Sequence, residues 1–198
     1  MPSKTQARPL LLASSSPYRR ELLRRLGVDF EVVAPEIDES PLPGEAPQAL
    51  VARLAAGKAS AVAAAHRRCV VIGSDQVAVH RDRIVGKPGS PGNARRQLRA
   101  FSGEAVEFLS AVCLCCEETG WRHAETVVTK VRFRPLSDAE IDRYLAFDAP
   151  LDCAGSFRSE AGGSMLLESL ESDDPTAIVG LPLIAVCHAL RDAGFRLP

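Results

Sequence analysis

An α/β fold with a mixed sheet flanked by helices is what this sequence predicts, and two observations carry that prediction. In the first half, apolar runs of strand length alternate with helical patterns, as strands joined by helical crossovers do. In the second half, Glu104 to Glu118 and Ala124 to Arg134 are two long runs that read as strands of a hairpin turning at Thr119-Gly120. The chain has 198 residues, 46% hydrophobic and 25% charged, a balance suited to one generous domain or two small lobes. No internal repeat, low-complexity tract or linker interrupts it, so residues 1–198 read as a single domain.

Leu10-Leu11-Leu12-Ala13 is the first strand, and it runs through Ser14-Ser15-Ser16 into a helix. Ser16 suits the N-cap, and Pro17 suits the first helical position, where its missing N–H costs nothing. Tyr18, Leu22 and Leu26 recur at i, i+4 and i+8, and Gly27 predicts the helix end. Arg19 and Arg20 fall in the first turn, where the helix dipole disfavours a cation by roughly 0.3–1 kcal/mol unless an anion binds there. Helix N–H groups, the hydroxyls of Ser14 and Ser16, and two guanidinium forks together describe a polyphosphate cradle. An ordinary strand–turn–helix with capping serines and solvated arginines is the alternative this stretch leaves open.

Phe30 to Ala34 follows as a strand, and Pro35 to Glu45 as an acidic, proline-rich connection carrying Glu36, Asp38 and Glu39. Composition alone makes that connection a surface loop. A helix is expected from Pro47 to about His66, with Val51, Leu54, Ala55, Lys58 and Val62 on its apolar stripe. Lys58 on that inward face either packs its stem and snorkels its ammonium to water, or delivers the ammonium to an anion site at the edge of the core. Gly57 costs roughly 1 kcal/mol against alanine inside a helix and hints at close approach by another element.

Cys69 to Gly73 reads as a strand buried on both faces, ending in Gly73-Ser74-Asp75-Gln76 before the apolar run resumes at Val77. A carboxylate between two buried segments is costly unless it meets a cation or several hydrogen-bond donors. Asp75 is therefore the best single candidate for a metal-binding or catalytic carboxylate; capping the backbone of a bulge is its alternative role. A turn at Arg81-Asp82 and the run Ile84 to Pro88 return Lys87 to within one hairpin of Asp75. Ser90 caps a helix from Pro91 to Phe101, and Ser137 caps another from Asp138 to Phe147. Val131 and Phe133 alternate with Lys130, Arg132 and Arg134, a half-buried strand with a wet basic face. Pro150 to Glu160 is irregular, Asp173 to Thr176 is expected to begin a short helix, and Leu183 to Arg191 forms a closing one.

A formal net charge of −1 provides no global field for nucleic acid or an anionic membrane. No apolar run approaches the length of a membrane span, and the segment before Leu10 leads into an apolar run too short for a signal sequence. The expectation is a soluble, cytoplasmic protein. Six cysteines in apolar surroundings read as free thiols; Cys113 and Cys116 have C-x-x-C spacing, but on a strand they point to opposite faces. Neither G-x-x-x-x-G-K-[ST] nor G-x-G-x-x-G occurs, which argues against a P-loop or a dinucleotide fold. The remaining set, Ser14, Arg19, Lys58 and Lys87 with the acids Glu39 and Asp75, is the one expected for metal-assisted hydrolysis of a polyphosphate.

The motifs L-A-S-S-S-P-Y-R-R-E-L-L, P-E-I-D-E-S, G-K-A, G-S-D-Q, G-K-P, D-C-A-G-S-F and V-G-L-P-L span nearly the whole chain. In that order they resemble the Maf-like nucleoside triphosphate pyrophosphatases. The resemblance implies an elongated mixed sheet with two lobes around a nucleotide cleft, a divalent metal (Mg2+ or Mn2+) and a homodimer. It also implies cleavage of a nucleoside triphosphate at the α–β anhydride to the monophosphate and pyrophosphate. On that resemblance Ser14, Ser16, Arg19 and Arg20 bind phosphate oxygens, and Lys58 and Lys87 neutralise charge as it develops. Glu39 and Asp75 hold the metal, and Asp75 matches the family's proton acceptor for the attacking water. One carboxylate is poorly suited to be both a tight ligand and a strong base, so the expected arrangement is a water acidified by the ion and oriented by Asp75.

Tyr18, Gln76 and Glu160 look like the branch of that family acting on 7-methyl-GTP, whereas the dTTP/UTP branch tends to carry arginine after S-P and threonine after the key aspartate. A carboxylate can accept from guanine N1–H and the exocyclic amine, and an aromatic face favours the cationic methylated base by roughly 0.5–2 kcal/mol. That branch usually has tryptophan where this chain has Tyr18, which points to looser selectivity. The alternatives are a dTTP/UTP pyrophosphatase, a nucleotide-binding regulator of cell division (septum formation) with little turnover, and a non-nucleotide phosphatase releasing orthophosphate. Retention of Glu39, Lys58, Asp75 and Lys87 favours an enzyme.

Overall fold

Seven strands form one mixed sheet in the computed structural model, which describes residues 8–197. They are β1 (Leu10–Ala13), β2 (Glu31–Val33), β3 (Val70–His80), β4 (Arg83–Val85), β5 (Ala105–Cys116), β6 (Trp121–Phe133) and β7 (Leu167–Ser172). The helices are α1 (Pro17–Arg24), α2 (Pro47–Ala65), α3 (Pro91–Phe101), α4 (Asp138–Asp148) and α5 (Leu183–Asp192). Strand order is β2-β1-β3-β5-β6-β7, with β4 paired to β3. β1 is parallel to both β2 and β3, with Leu12 opposite Val32 and Ala13 opposite Gly73. β3 and β4 are antiparallel, as are β6 and β7. The expected α/β class with a mixed, helix-flanked sheet is what the chain adopts.

The chain divides into two units. The first comprises residues up to Asp75, Ser110–Val127 and residues from Asp174 onward. In it, Leu10 and Leu12 of β1, Val70 and Ile72 of β3, and Val112 and Leu114 of β5 share a core with Leu22 and Leu23 of α1 and Val186, Ala189 and Leu190 of α5. The alternate residues Leu11, Ala13, Val71 and Gly73 face the other way, toward α2. Both faces of these parallel strands are covered, which is why they read as continuous apolar runs.

The second unit comprises Gln76–Leu109 and Val128–Asp173. Phe101, Phe133, Phe157 and Phe108 form a chain of ring contacts with centroids 5.3–5.9 Å apart, and His80 meets the edge of that chain at Phe101. Arg95 of α3 grips Asp142 of α4 through two bonds of 2.6 and 2.8 Å. Val131 and Phe133 are buried while Lys130 and Arg132 are exposed, the expected wet face of β6.

Two local expectations are corrected, one is met in 3-10 form, and one strand is unexpected. The first helix ends at Arg24 rather than Gly27, because its last turn tightens: Leu26 N donates to Leu23 O and Gly27 N to Arg24 O, with Gly27 in the left-handed region. β3 does not break at Asp75. Asp75 accepts a bond from the Lys58 side chain instead of capping a bulge, and the strand continues to His80. Asp173 to Thr176 does lead into a short helix, a 3-10 turn at Ala177–Val179, with the Asp174 carboxylate accepting from Thr176 N to shape its start. β7 is an unexpected strand, mostly exposed and without the alternation that marks a half-buried one.

All six cysteines are free thiols. No helix among the described residues is long and apolar enough to cross a membrane; residues 1–7, on which part of the signal-sequence reading rests, lie outside them.

Candidate active site

β1 connects through α1 to β2 on one side of it, and β2 returns through α2 to β3 on the other. The boundary between β1 and β3 is therefore a switch point, and ligands of open α/β sheets bind beyond the carboxyl ends of strands at such points. Ser14 to Arg19 follow β1 there, and Ser74 and Asp75 continue β3 just past the Ala13–Gly73 pair.

The serine turn is ordered by its own hydroxyls. Ser14 Oγ accepts from Ser16 N at 3.1 Å, and Ser16 Oγ accepts from Arg19 N at 3.4 Å as the N-cap, with Pro17 in the first helical position. The first turn of α1 contains no acidic residue, so the positive end of its dipole has no local counter-charge on the helix. Arg19 Nε donates to the Gly180 carbonyl at 2.8 Å. Burial pushes the Arg19 guanidinium below its ordinary pKa, and the negative charges of Asp75 and Glu39 act against that shift. Tyr18 is part-buried, and Arg20 is exposed.

Lys58 is buried on α2, and its Nζ lies 2.7 Å from Asp75 Oδ1 and 3.1 Å from Glu39 Oε1. Snorkelling is thus ruled out, since the ammonium ends between two carboxylates rather than in water. Asp75 is only 7% exposed, whereas the Glu39 side chain is 57% exposed and closes the group from the loop before α2. Glycine sets this seam. A Cβ on Gly73 would stand 2.3 Å from Ala55 O and 2.5 Å from Ala59 N, so α2 rests directly on the backbone of β3. Ala55, Lys58 and Ala59 share one helix face, and Asp75 lies two residues beyond Gly73 on the same face of the strand. The close approach expected at Gly57 is looser, since its Cβ would meet only Ile37 Cδ1 at 3.4 Å.

Glu39 and Asp75 already converge on one cation, the ammonium, and their hard oxygens suit Mg2+ or Mn2+. Such ions commonly bind through one or two carboxylates plus substrate phosphates. No group of three or more His, Cys, Asp or Glu side chains placed to hold a metal occurs among the described residues. The two-carboxylate set therefore fits a metal completed by substrate and water, and does not fit a closed protein cage.

Gln76, Lys87 and Glu160 belong to the second unit. Lys87 is exposed after β4, whose Val85 pairs with Ala78 of β3. Glu160 is exposed in a loop tied down by Arg158, which forks onto the buried carboxylate of Asp148, while Tyr144 Oη donates to Asp148 at 2.9 Å and accepts from Arg158 N at 3.2 Å. Sequence reasoning did not single out Gly73, Ser74 or Gly180 as site-building residues. All three stand inside quoted motifs, but what they contribute is backbone approach and backbone hydrogen bonding.

A family model described as "Maf-like protein" matches residues 9–193. A protein from Albidiferax ferrireducens called "7-methyl-GTP pyrophosphatase" is 52% identical over 190 residues, 96% of this chain and 96% of that one. A Burkholderia pseudomallei protein with the same name is 55% identical, covering 95% of this chain and 89% of its own. One from Ralstonia nicotianae, again so named, is 54% identical over 96% and 97% of the two chains. Among solved structures, the Staphylococcus aureus Ham1 protein aligns with 63% of this chain and 71% of that one, at a TM-score of 0.45 and 14% identity.

Proposed function

This chain belongs to the Maf-like protein family, and from that premise we propose that it is a metal-dependent nucleoside triphosphate pyrophosphatase acting on 7-methyl-GTP. The observation that carries the reading is the buried Lys58 ammonium held between Asp75 and Glu39 at the switch point, beside a serine-rich helix start and Arg19. Relatives more than half identical over nearly their full length carry that activity in their names, which supports both the reaction and the substrate.

In the reaction, a water oxygen attacks the α-phosphorus, the bond from that phosphorus to the α–β bridging oxygen breaks, and pyrophosphate leaves. Asp75 orients the water, whose proton passes to solvent. Lys58 and Arg19 balance charge on the phosphate oxygens, and the Ser14 and Ser16 hydroxyls at the positive end of α1 offer neutral donors. Arg20 adds exposed positive charge beside Arg19, and the family resemblance gives Lys87 a charge-neutralising role. A divalent ion bound by Glu39 and Asp75 supplies charge neutralisation and lowers the pKa of water. By the family resemblance, Tyr18, Gln76 and Glu160 are the positions that mark the 7-methyl-GTP branch.

Product analysis with 7-methyl-GTP, GTP, dTTP and UTP in Mg2+ or Mn2+ tests this reading. Expected is pyrophosphate release fastest from 7-methyl-GTP, reduced about 10²- to 10⁴-fold in Asp75→Asn. Preference for dTTP or UTP refutes the substrate assignment. Orthophosphate as product refutes the reaction, and binding without turnover of any nucleotide makes the protein a regulator.

A further inference from the structure

Gly180 ends the 3-10 turn at Ala177–Val179 with φ 114°, a backbone region that favours glycine. Its carbonyl oxygen accepts two bonds, from Arg19 Nε at 2.8 Å and from Ser74 Oγ at 2.9 Å. Both lone pairs of that oxygen are thereby engaged, and Ser74 is fully buried.

The turn is pinned from behind. Ser110 Oγ donates to Ala177 O at 2.7 Å. The buried Asp174 carboxylate accepts from Thr176 N at 3.1 Å through Oδ1 and from Ile184 N at 2.6 Å through Oδ2. Thr176 Oγ1 lies 2.7 Å from Asp174 Oδ1 and 2.9 Å from Leu181 O, and accepts from Leu183 N at 2.8 Å. One hydroxyl and one carboxylate thus lock the turn to the start of α5, with Gly180 between them and Arg19.

We propose that Ser74, Asp174 and Thr176 are positioning residues for Arg19: they fix the Gly180 carbonyl, which tethers Nε and presents the remaining guanidinium fork to the substrate's phosphates. The proposal rests on the reading of Arg19 as a phosphate ligand. With Nε committed to a carbonyl, the four N–H groups on the two Nη nitrogens remain for phosphate oxygens, and a planar fork held at one corner loses less freedom on binding than an untethered one. A lysine at position 19 has no N–H at the tethering position, so it cannot use the Gly180 carbonyl in this way.

That difference supplies the test, using inorganic pyrophosphate in Mg2+ as the probe and calorimetric titration as the readout, with melting temperature recorded alongside. Thr176→Val and Ser74→Ala are each expected to weaken pyrophosphate binding about tenfold, while Thr176→Ser restores it. In an Arg19→Lys background neither substitution should weaken binding further, because a residue that acts through Arg19 is not additive with its loss. Losses that add in the double variants, or unchanged binding in Thr176→Val and Ser74→Ala while Arg19→Lys is weakened, overturn the positioning role and leave the phosphate-ligand reading standing. Unchanged binding in Arg19→Lys overturns both. If Thr176→Val does not fold, Ser74→Ala and its double variant decide by the same criteria.

Discussion

Lys58 and Asp75 stood out in the sequence for one reason: each is a charge set in an apolar pattern, where burial without a partner is costly. Their pairing at 2.7 Å is the resolution of both costs at once. Breaking such a pair from one side strands the other charge, so Lys58→Met is expected to cost about 3–5 kcal/mol of stability. The double variant Lys58→Met/Asp75→Leu should recover most of that stability while remaining inactive; denaturant unfolding that finds the double variant no more stable than the single would refute the pairing account. Glu39 was a different case, because an acidic loop hides it among Glu36 and Asp38, and no pattern around it marks it as the acid that meets Lys58. The knot behind Arg19 was less legible still. Hydroxyls bonded to backbone carbonyls leave no periodicity, charge pattern or spacing for a reader of sequence to find.

At the level of elements, two glycines on either side of the α2–β3 seam make opposite predictions. Gly73→Ala forces a methyl against the Ala55 carbonyl, so α2 must lift from β3. A stability loss of about 1–3 kcal/mol is expected, with a fall in kcat, because the Lys58–Asp75 contact lies on the same seam. Gly57→Ala meets only ordinary contact with Ile37 and removes a helix-interior glycine, so it should stabilise by about 0.5–1 kcal/mol. Chemical denaturation of the two variants decides, and effects of the same sign would refute this account of the seam. Helices with strong caps were legible to within a residue or so: α3 with Ser90 and α4 with Ser137 and Glu140 in a capping box. The expected break at Asp75 failed because a long-range partner, Lys58, met the carboxylate, whereas the early end of α1 came from local tightening of its last turn.

For the molecule as a whole, resistance to acid depends on carboxylates held by arginines. Glu45, bonded by Arg53 and then by Leu42 N, is held at about 2, as is Glu140 by the Ser137 hydroxyl, its backbone N–H and Arg134. Arg81 lowers Glu104, and Arg99 lowers Asp138. A folded pKa below the ordinary carboxylate value means stability that is complete above about pH 4.5 and lost as pH falls toward 2. The melting temperature should therefore be insensitive to these groups near neutrality and drop through that window, less steeply in high salt. A flat profile from pH 4.5 to 2 would contradict it. The division into units carries a further consequence, for the order of events during synthesis. The core around β1 and β3 includes Leu181, Val186 and Leu190, yet roughly 50 residues of the second unit intervene after Val127. At 5–20 residues per second a ribosome needs about 2–10 s to cross that gap. For that interval the nascent first unit has strands, α1 and α2 but no α5, so the sheet face that α1 and α5 share is only half covered until α5 emerges.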